Sequence, residues 1–162
     1  MIKYEVAGND RLITALDSVN LTLADFRPIW REATKLFYEF EKEAFATEGR
    51  SSAVGQWKLL TRAYARWKEV KAPGKPILEL TGALKASLTR PNAKGSIRRV
   101  TEEEMIVGTS IFYAEFHQAG TRKMVERPPI ALQPEQTRQI EKLMRDTLKQ
   151  FVRRAGFIVT EG

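Results

Sequence analysis

The chain has 162 residues, of which 43% are hydrophobic and 29% charged, and its formal net charge is +7. These values are typical of one globular domain, and the absence of cysteine excludes disulfides, thiolate chemistry and zinc sites built on cysteine. No apolar run approaches the roughly 20 residues needed to span a bilayer, and the N-terminus lacks the apolar stretch of a signal peptide. We therefore expect a protein that is made and used in the cytoplasm.

The positive charge is concentrated in residues 50–99. That window contains 12 Lys and Arg residues but only two acids, Glu69 and Glu79, so its net charge is +10, whereas the rest of the chain carries −3. Such asymmetry is typical of contact with nucleic acid or with an acidic protein surface, and equally of a solvated basic face.

The first predicted elements are a short strand over residues 2–7, where apolar and polar residues alternate, and a long helix over 22–48. Asp25 is the candidate N-cap of this helix, and Gly49 stands where a C-cap is expected. The apolar stripe that we expect in the core comprises Phe26, Ile29, Trp30, Ala33, Leu36, Phe37, Phe40 and Ala44. The face that we expect in solvent carries Glu32, Glu39, Glu41, Glu43 and Glu48.

A second helix is predicted near residues 57–69, followed by a basic linker over 70–76. One face of this helix carries aromatic and apolar residues that we expect in the core, namely Trp57, Leu60, Tyr64 and Trp67. Another face carries three cations that are the best candidates for binding nucleic acid, namely Lys58, Arg62 and Arg66. The linker contains Pro73 and Gly74 between Lys71 and Lys75, so we predict a mobile segment that changes its contacts on assembly.

A short helix and a β-hairpin follow. Thr81 is the predicted cap of a helix that buries Leu84 and Leu88 and ends before Pro91. The hairpin strands are predicted over 96–101 and 104–109. Since Arg98 and Arg99 are adjacent in a strand, their side chains should point to opposite faces.

The C-terminal third is less regular until its last helix. The pattern leaves open whether residues 111–119 are helical, and the prolines of segment 127–130 require it to be extended. A helix is predicted over 134–155, starting at Pro134, and residues 157–160 form a candidate final strand. The apolar stripe of this helix comprises Ile140, Leu143, Met144, Leu148, Phe151, Val152 and Ala155.

These elements predict a single α+β domain covering residues 1–162, in which a small, mainly antiparallel sheet packs against two long helices. The sheet would combine residues 2–7, 96–101 and 104–109, with 157–160 as a candidate fourth strand.

The sequence offers no recognisable catalytic set. His117 is the only histidine, and no Gly-x-Ser-x-Gly elbow supplies a nucleophile for it to activate. Consecutive acids in the hairpin turn, residues 102–104, cannot converge on one pocket as a catalytic pair must. No phosphate-binding glycine motif and no metal-ligand spacing is present. We therefore predict that the chain is not an enzyme and needs no cofactor or metal.

Three sequence segments together resemble a known family. The first is Gly55 to Lys68, a Trp-x-x-Leu-Thr stretch that closes on lysine, and the second is Ile77 to Leu88, an Ile-Leu box followed by Thr-Gly. The third runs from Val107 to Pro128 and contains Tyr-Ala near His-Gln-x-Gly, then Arg-Pro. Their order and spacing over residues 50–154 are similar to the phage virion morphogenesis family, the tail-completion proteins of Mu-like and related tailed phages. Glu126 and Pro129-Ile130 depart from the family pattern, and the first 50 residues look generic.

The motif residues that carry this resemblance are Trp57, Thr81, Gly82, Leu84, Tyr113, Ala114, His117, Gln118, Gly120, Arg127 and Pro128. They make physical sense as scaffold. Gly82 and Gly120 can adopt backbone angles that side chains disfavour, and Arg127-Pro128 fixes an extended exit towards the last helix. The side chains of His117 and Gln118 can satisfy backbone groups of the turn.

The resemblance implies a tail-terminator-like domain that acts as a structural virion protein. Such a protein would form a homo-oligomeric ring, a hexamer in this family, at the head–tail junction or tail end, and would contact tail-tube or connector proteins. Assembly would take place in the host cytoplasm, without a membrane partner. We expect the acidic face of the first long helix to meet the basic 50–99 window of a neighbour. The residues that could contact a subunit, or DNA in the channel, are Lys58, Arg62, Arg66, Lys71, Lys75, Arg98 and Arg99. The alternative is a small basic nucleic-acid-binding protein, which rests on that window alone.

Overall fold

The computed structural model describes residues 25–154. Within this range, five helices and two strands follow one another: α1 (Arg27–Ala46), α2 (Arg62–Lys71), α3 (Ala83–Thr89), β1 (Ser96–Val100), β2 (Met105–Thr109), α4 (Ala114–Ala119) and α5 (Pro134–Arg154). The predicted α+β class, with an antiparallel sheet and long helices, is confirmed. The strands predicted over 2–7 and 157–160 lie outside the described residues. Within residues 25–154, no helix is both long enough and apolar enough to cross a membrane.

Helix α1 supplies much of the core. Its predicted stripe is largely buried, and Tyr38 and Phe45 join it from neighbouring positions. The predicted solvent face is wrong at Glu41, of which only 2% is exposed. Glu41 lies four residues from both Phe37 and Phe45, so it shares their side of the helix. Phe26 rather than Asp25 is the N-cap, although an Asp25 carboxylate oxygen accepts the backbone N–H of Arg27 at 2.9 Å.

Helix α2 begins at Arg62, five residues later than predicted. Residues before it are held in other contacts: the backbone N–H of Trp57 donates to the Glu48 carbonyl at 2.9 Å. Thr61 is the N-cap, and its hydroxyl accepts the N–H of Tyr64 at 3.3 Å. The expectation of one core face from residue 57 to 67 is therefore wrong for Tyr64 and Trp67, which are 43% and 46% exposed.

The β-hairpin lies along α1 with its turn near the helix N-terminus. Val100 pairs with Met105 and Ser96 with Thr109, as the predicted hairpin requires. One face of the hairpin meets α1, where the hydroxyl groups of Tyr38 and Ser96 lie 3.2 Å apart. The turn reaches the start of α1, because the backbone N–H of Phe26 donates to the Glu102 carbonyl at 3.0 Å.

Helix α3 packs against both α1 and the hairpin. It buries Leu84 and Leu88 as predicted, and the Ser87 hydroxyl lies 2.7 Å from that of Thr109 on β2. Its N-cap is Gly82, whereas Thr81 accepts the N–H of Ala83 from one position earlier. The core cluster comprises Phe37, Tyr38, Phe45, Trp57, Ile77, Leu84, Leu88 and Ala114.

Helix α5 starts at Pro134 as predicted and packs against α1. Its apolar stripe from Ile140 to Val152 is only half-buried, and Ala155 lies outside the described residues. Residues 114–119, which the sequence left open, are helical.

Candidate interaction surface

The first and third motif segments meet in a buried polar clamp. Arg127 is 6% exposed, and its guanidinium donates to the carbonyls of Lys58 and Leu59 at 2.6 and 2.8 Å. The indole N–H of Trp57 donates to the Pro128 carbonyl at 3.0 Å. These bonds fix the extended segment 57–60 against segment 125–128, because buried donors and acceptors are costly to leave unpaired.

Two glycines allow the chain to turn tightly around this clamp. Gly120 has φ +72°, and a Cβ there would lie 3.0 Å from the Glu126 nitrogen. Gly49 has φ +89°, and its Cβ would lie 2.7 Å from the Trp57 ring. Both positions therefore need glycine for space as well as for backbone angle. The predicted left-handed conformation of Gly82 is also present, at φ +82°.

Gln118 and His117 behave differently. The Gln118 amide donates to the Ile130 carbonyl at 2.9 Å and accepts the Ile130 N–H at 3.3 Å, as predicted for a residue that satisfies backbone groups. The same prediction is wrong for the His117 side chain, whose buried Nδ1 has no hydrogen-bond partner. Its ring instead packs edge-on against Tyr113, with centroids 6.0 Å apart. Burial, and then the positive charge of Arg127, lower the pKa of His117, which favours a neutral ring.

A buried lysine was not singled out in the sequence. Lys68 is buried on α2 and donates through Nζ to the Pro76 carbonyl. Burial lowers the pKa of Lys68, while the carboxylates of Glu48, Glu79 and Glu69 oppose that change. The sequence does contain a sign that Lys68 is special. Lys68 is the closing residue of the first motif segment, and it lies four residues after Tyr64, on the same side of the helix.

Between α2 and the turn at residues 121–127 lies a groove of about 460 Å³. We call it the α2 groove. Its walls include Leu59, Tyr64, Leu80 and Val125, all of them exposed, and Leu59 is 78% exposed. Tyr64 stacks on Trp67 with ring centroids 5.3 Å apart. Contiguous exposed apolar surface of this kind marks an interaction site more often than isolated apolar residues do.

The predicted cationic contacts do not form one stripe. Lys58 precedes α2 and pairs with Glu126 at 3.4 Å, so it is separate from the helical pair Arg62 and Arg66. Both arginines are exposed and make no ion pair within residues 25–154. Each lies two residues from Tyr64, or about 200° around the helix, so both are on the side of α2 away from the groove.

The remaining predicted cations are on the linker and the hairpin. Lys71 ends α2 and Lys75 is exposed in the turn that follows. Arg98 lies on the hairpin face that meets α1 and shares a shallow depression with Arg31 and Lys35. Arg99 points to the outer face and pairs with Glu104. The prediction that Arg98 and Arg99 point to opposite faces is confirmed, since Val107, opposite Arg98, packs against the core.

One protein family matches nearly the whole chain. The sequence pattern of the phage virion morphogenesis family matches residues 8–149. The chain belongs to the phage virion morphogenesis family. Neither a curated protein nor a solved structure matches it. The family match begins at residue 8, so residues 8–49, which look generic by motif, also belong to the family pattern.

Membership of the phage virion morphogenesis family gives the chain a structural role in the virion, and the family is not one of enzymes. Across residues 25–154, no group of three or more His, Asp or Glu side chains could hold a metal ion. The motif residues instead serve the clamp, the tight turns and the core, with Ala114 and Leu84 buried in the core. What the scaffold presents outwards is the α2 groove.

Proposed function

We propose that this chain is a tail-completion or neck subunit that forms a closed ring at the head–tail junction or tail end, where it finishes the tail or joins it to the head. The observation that carries this proposal is the family match over residues 8–149. Six-fold symmetry is expected because the resembled tail-completion proteins have it. Tail-tube and connector proteins are the expected partners, and the position in the virion is the neck or tail.

A closed ring requires heterologous contacts, in which one surface of a subunit meets a different surface of its neighbour. The outer face of α1 is less acidic than predicted, so it is a poorer partner for the basic 50–99 window of a neighbouring subunit. Glu41 is buried, and a Glu48 carboxylate oxygen accepts the N–H of Ile77 at 2.7 Å. The acids that stay exposed alternate with cations, so the surface has mixed charge; the charged residues are Arg31, Glu32, Lys35, Glu39, Lys42 and Glu43.

The test is a phage in which the gene for this chain is interrupted. Heads and tails should accumulate unjoined, or tails should lack a proper end, and a plasmid copy of the gene should restore infectious particles. Mass spectrometry of purified wild-type virions should detect the chain at a few copies per particle. Normal virions from the interrupted phage, or virions without the chain, would exclude the proposal.

A second candidate, binding of single-stranded nucleic acid, is favoured by one observation. Tyr64 and Trp67 are stacked on each other and exposed, and the exposed Arg66 lies about 100° around α2 from Trp67. Exposed aromatic rings next to arginine are what base stacking uses. Affinity for an oligonucleotide that falls steeply with salt would support this candidate. Weak binding that does not differ between wild type and Trp67→Ala would exclude it.

A further inference from the structure

The turn of the β-hairpin is an acidic knob. Glu102, Glu103 and Glu104 are all exposed there. Glu102 contacts Arg27 and Glu104 contacts Arg99, whereas Glu103 has no ion pair in the described part of the chain. Behind the knob, the outer face of the hairpin presents Ile97 and Ile106, which are 39% and 40% exposed.

The α2 groove has complementary properties. Lys123 lines it, and its side chain makes no ion pair among the described residues. Lys71 is exposed one helical turn after Lys68 on the same helix side, and is likewise unpaired in residues 25–154. The exposed walls of the groove are mostly apolar, and its one carboxylate, Glu79, is buried and paired with Lys85 at 2.7 Å. The groove can therefore take an apolar side chain, together with a carboxylate beside Lys123 at its rim.

These two surfaces lie at opposite ends of α1. The hairpin knob is anchored at the start of α1 by the Phe26–Glu102 hydrogen bond. The groove side is anchored at its end, where Trp57 packs on Phe45 with ring centroids 5.3 Å apart. A helix of 20 residues is about 30 Å long. The knob therefore cannot reach the groove of its own subunit.

We propose that the acidic hairpin knob of one subunit docks into the α2 groove of the next copy of the chain, with Glu103 facing Lys123. This inference rests on the proposed ring and names the two surfaces that build it. Donor and acceptor are at opposite ends of the molecule, so each subunit uses both and the contact repeats head to tail. Such a contact gives a ring when the rotation closes. A second copy is the occupant because the same chain supplies the matching charge and the exposed isoleucines.

Charge reversal tests the contact in purified protein. Glu103→Lys and Lys123→Glu should each raise the half-assembly concentration about tenfold, because a repulsive pair replaces an attractive one. The double variant should recover most of the wild-type assembly. The matched control is Arg66→Glu, which makes the same charge change on the far side of α2 and should leave assembly unchanged. Sedimentation velocity measures all four variants against wild type.

A second measurement, chemical cross-linking, is made both in purified protein and in virions. The chain has no cysteine, so Glu103→Cys with Lys123→Cys introduces the only two thiols. A short bis-maleimide should convert this variant into a ladder of covalent oligomers. The pair Glu103→Cys with Arg66→Cys should give no ladder.

The outcomes separate the two proposals. Failure of the double charge reversal to recover assembly, an Arg66→Glu effect as large as that of Lys123→Glu, or virions that contain the variant but give no ladder would each overturn the knob-in-groove contact while leaving the neck role intact. A ladder in purified protein together with absence of the chain from virions would keep the contact and remove the neck role.

Discussion

At the scale of single residues, Glu41 is the least expected feature. Burial raises the pKa of this carboxyl to about 8, and its Oε2 atom has no hydrogen-bond partner. A carboxyl in such a place is stable in the protonated form and costs free energy when it ionises. Glu41 is therefore a group in the described part of the chain whose protonation changes near neutral pH.

The sign of the resulting pH dependence follows from the direction of the shift. Because the pKa in the folded state, about 8, is above the ordinary value of 4.5, the free energy of unfolding should be highest below pH 4.5 as far as Glu41 is concerned, and should fall as pH rises to about 8. We predict that Glu41→Gln stabilises the protein at pH 7 by on the order of 3 kcal/mol and has little effect near pH 4. Urea unfolding at both pH values measures this. Glu39→Gln, on the exposed side of α1, is the control, and an equal gain from it would contradict the prediction.

Arg127 provides a second prediction at this scale. Lysine keeps the positive charge but loses the planar geometry that lets one guanidinium reach the carbonyls of Lys58 and Leu59 together. We expect Arg127→Lys to lower the free energy of unfolding by about 2 kcal/mol, seen as a lower Tm. Arg122→Lys, at an exposed position of the neighbouring turn, should leave Tm unchanged. Equal Tm values for both variants would show that the clamp contributes little.

At the scale of elements, the linker over 70–76 can be tested directly. It is exposed except for Ala72, and the N–H of Gly74 donates to the Glu69 carboxylate at 3.3 Å. Lys71, beside the groove, should become covered when a neighbour docks. We predict that amide hydrogen exchange over 70–76 is slower in assembled protein than in the monomer. Residues 92–95, a turn in which Asn92 and Lys94 are exposed, serve as the internal reference. Equal exchange at 70–76 in both states would show that the segment is only a tether.

Elements defined by local signals could be predicted from the sequence. The hairpin follows from alternation around an acidic turn, and the start of α5 follows from Pro134. The start of α2 could not be predicted, because the competing contact joins Trp57 to Pro128, 71 residues away. The groove could not be predicted for the same reason: periodicity identified an apolar side of α2 but not the absence of a covering element. Glu41 is a different case, because its spacing of four residues from Phe37 does place it on the core side of α1; it was assigned to the solvent face because carboxylates are usually exposed.

At the scale of the whole molecule, the proposed ring should be sensitive to salt. The knob and the groove rim carry exposed charges, whose interaction is screened over about 10 Å at 0.1 M ionic strength. We predict that the half-assembly concentration rises steadily as sodium chloride is raised from about 0.05 to 0.5 M. Light scattering during a salt titration measures it. Assembly that strengthens with salt would indicate a contact dominated by apolar burial instead.

The clamp that holds segment 57–60 against segment 125–128 also determines which of the two proposed surfaces is completed first during synthesis. A chain grows from its N-terminus, so the hairpin knob is complete about 20 residues before Arg127 is added. Until then the groove lacks one wall, and segment 57–60 lacks the hydrogen bonds from Arg127 that keep it extended. The groove is therefore the later of the two surfaces to be completed. A subunit can therefore use both surfaces in a ring only after the segment that carries Arg127 has folded against segment 57–60.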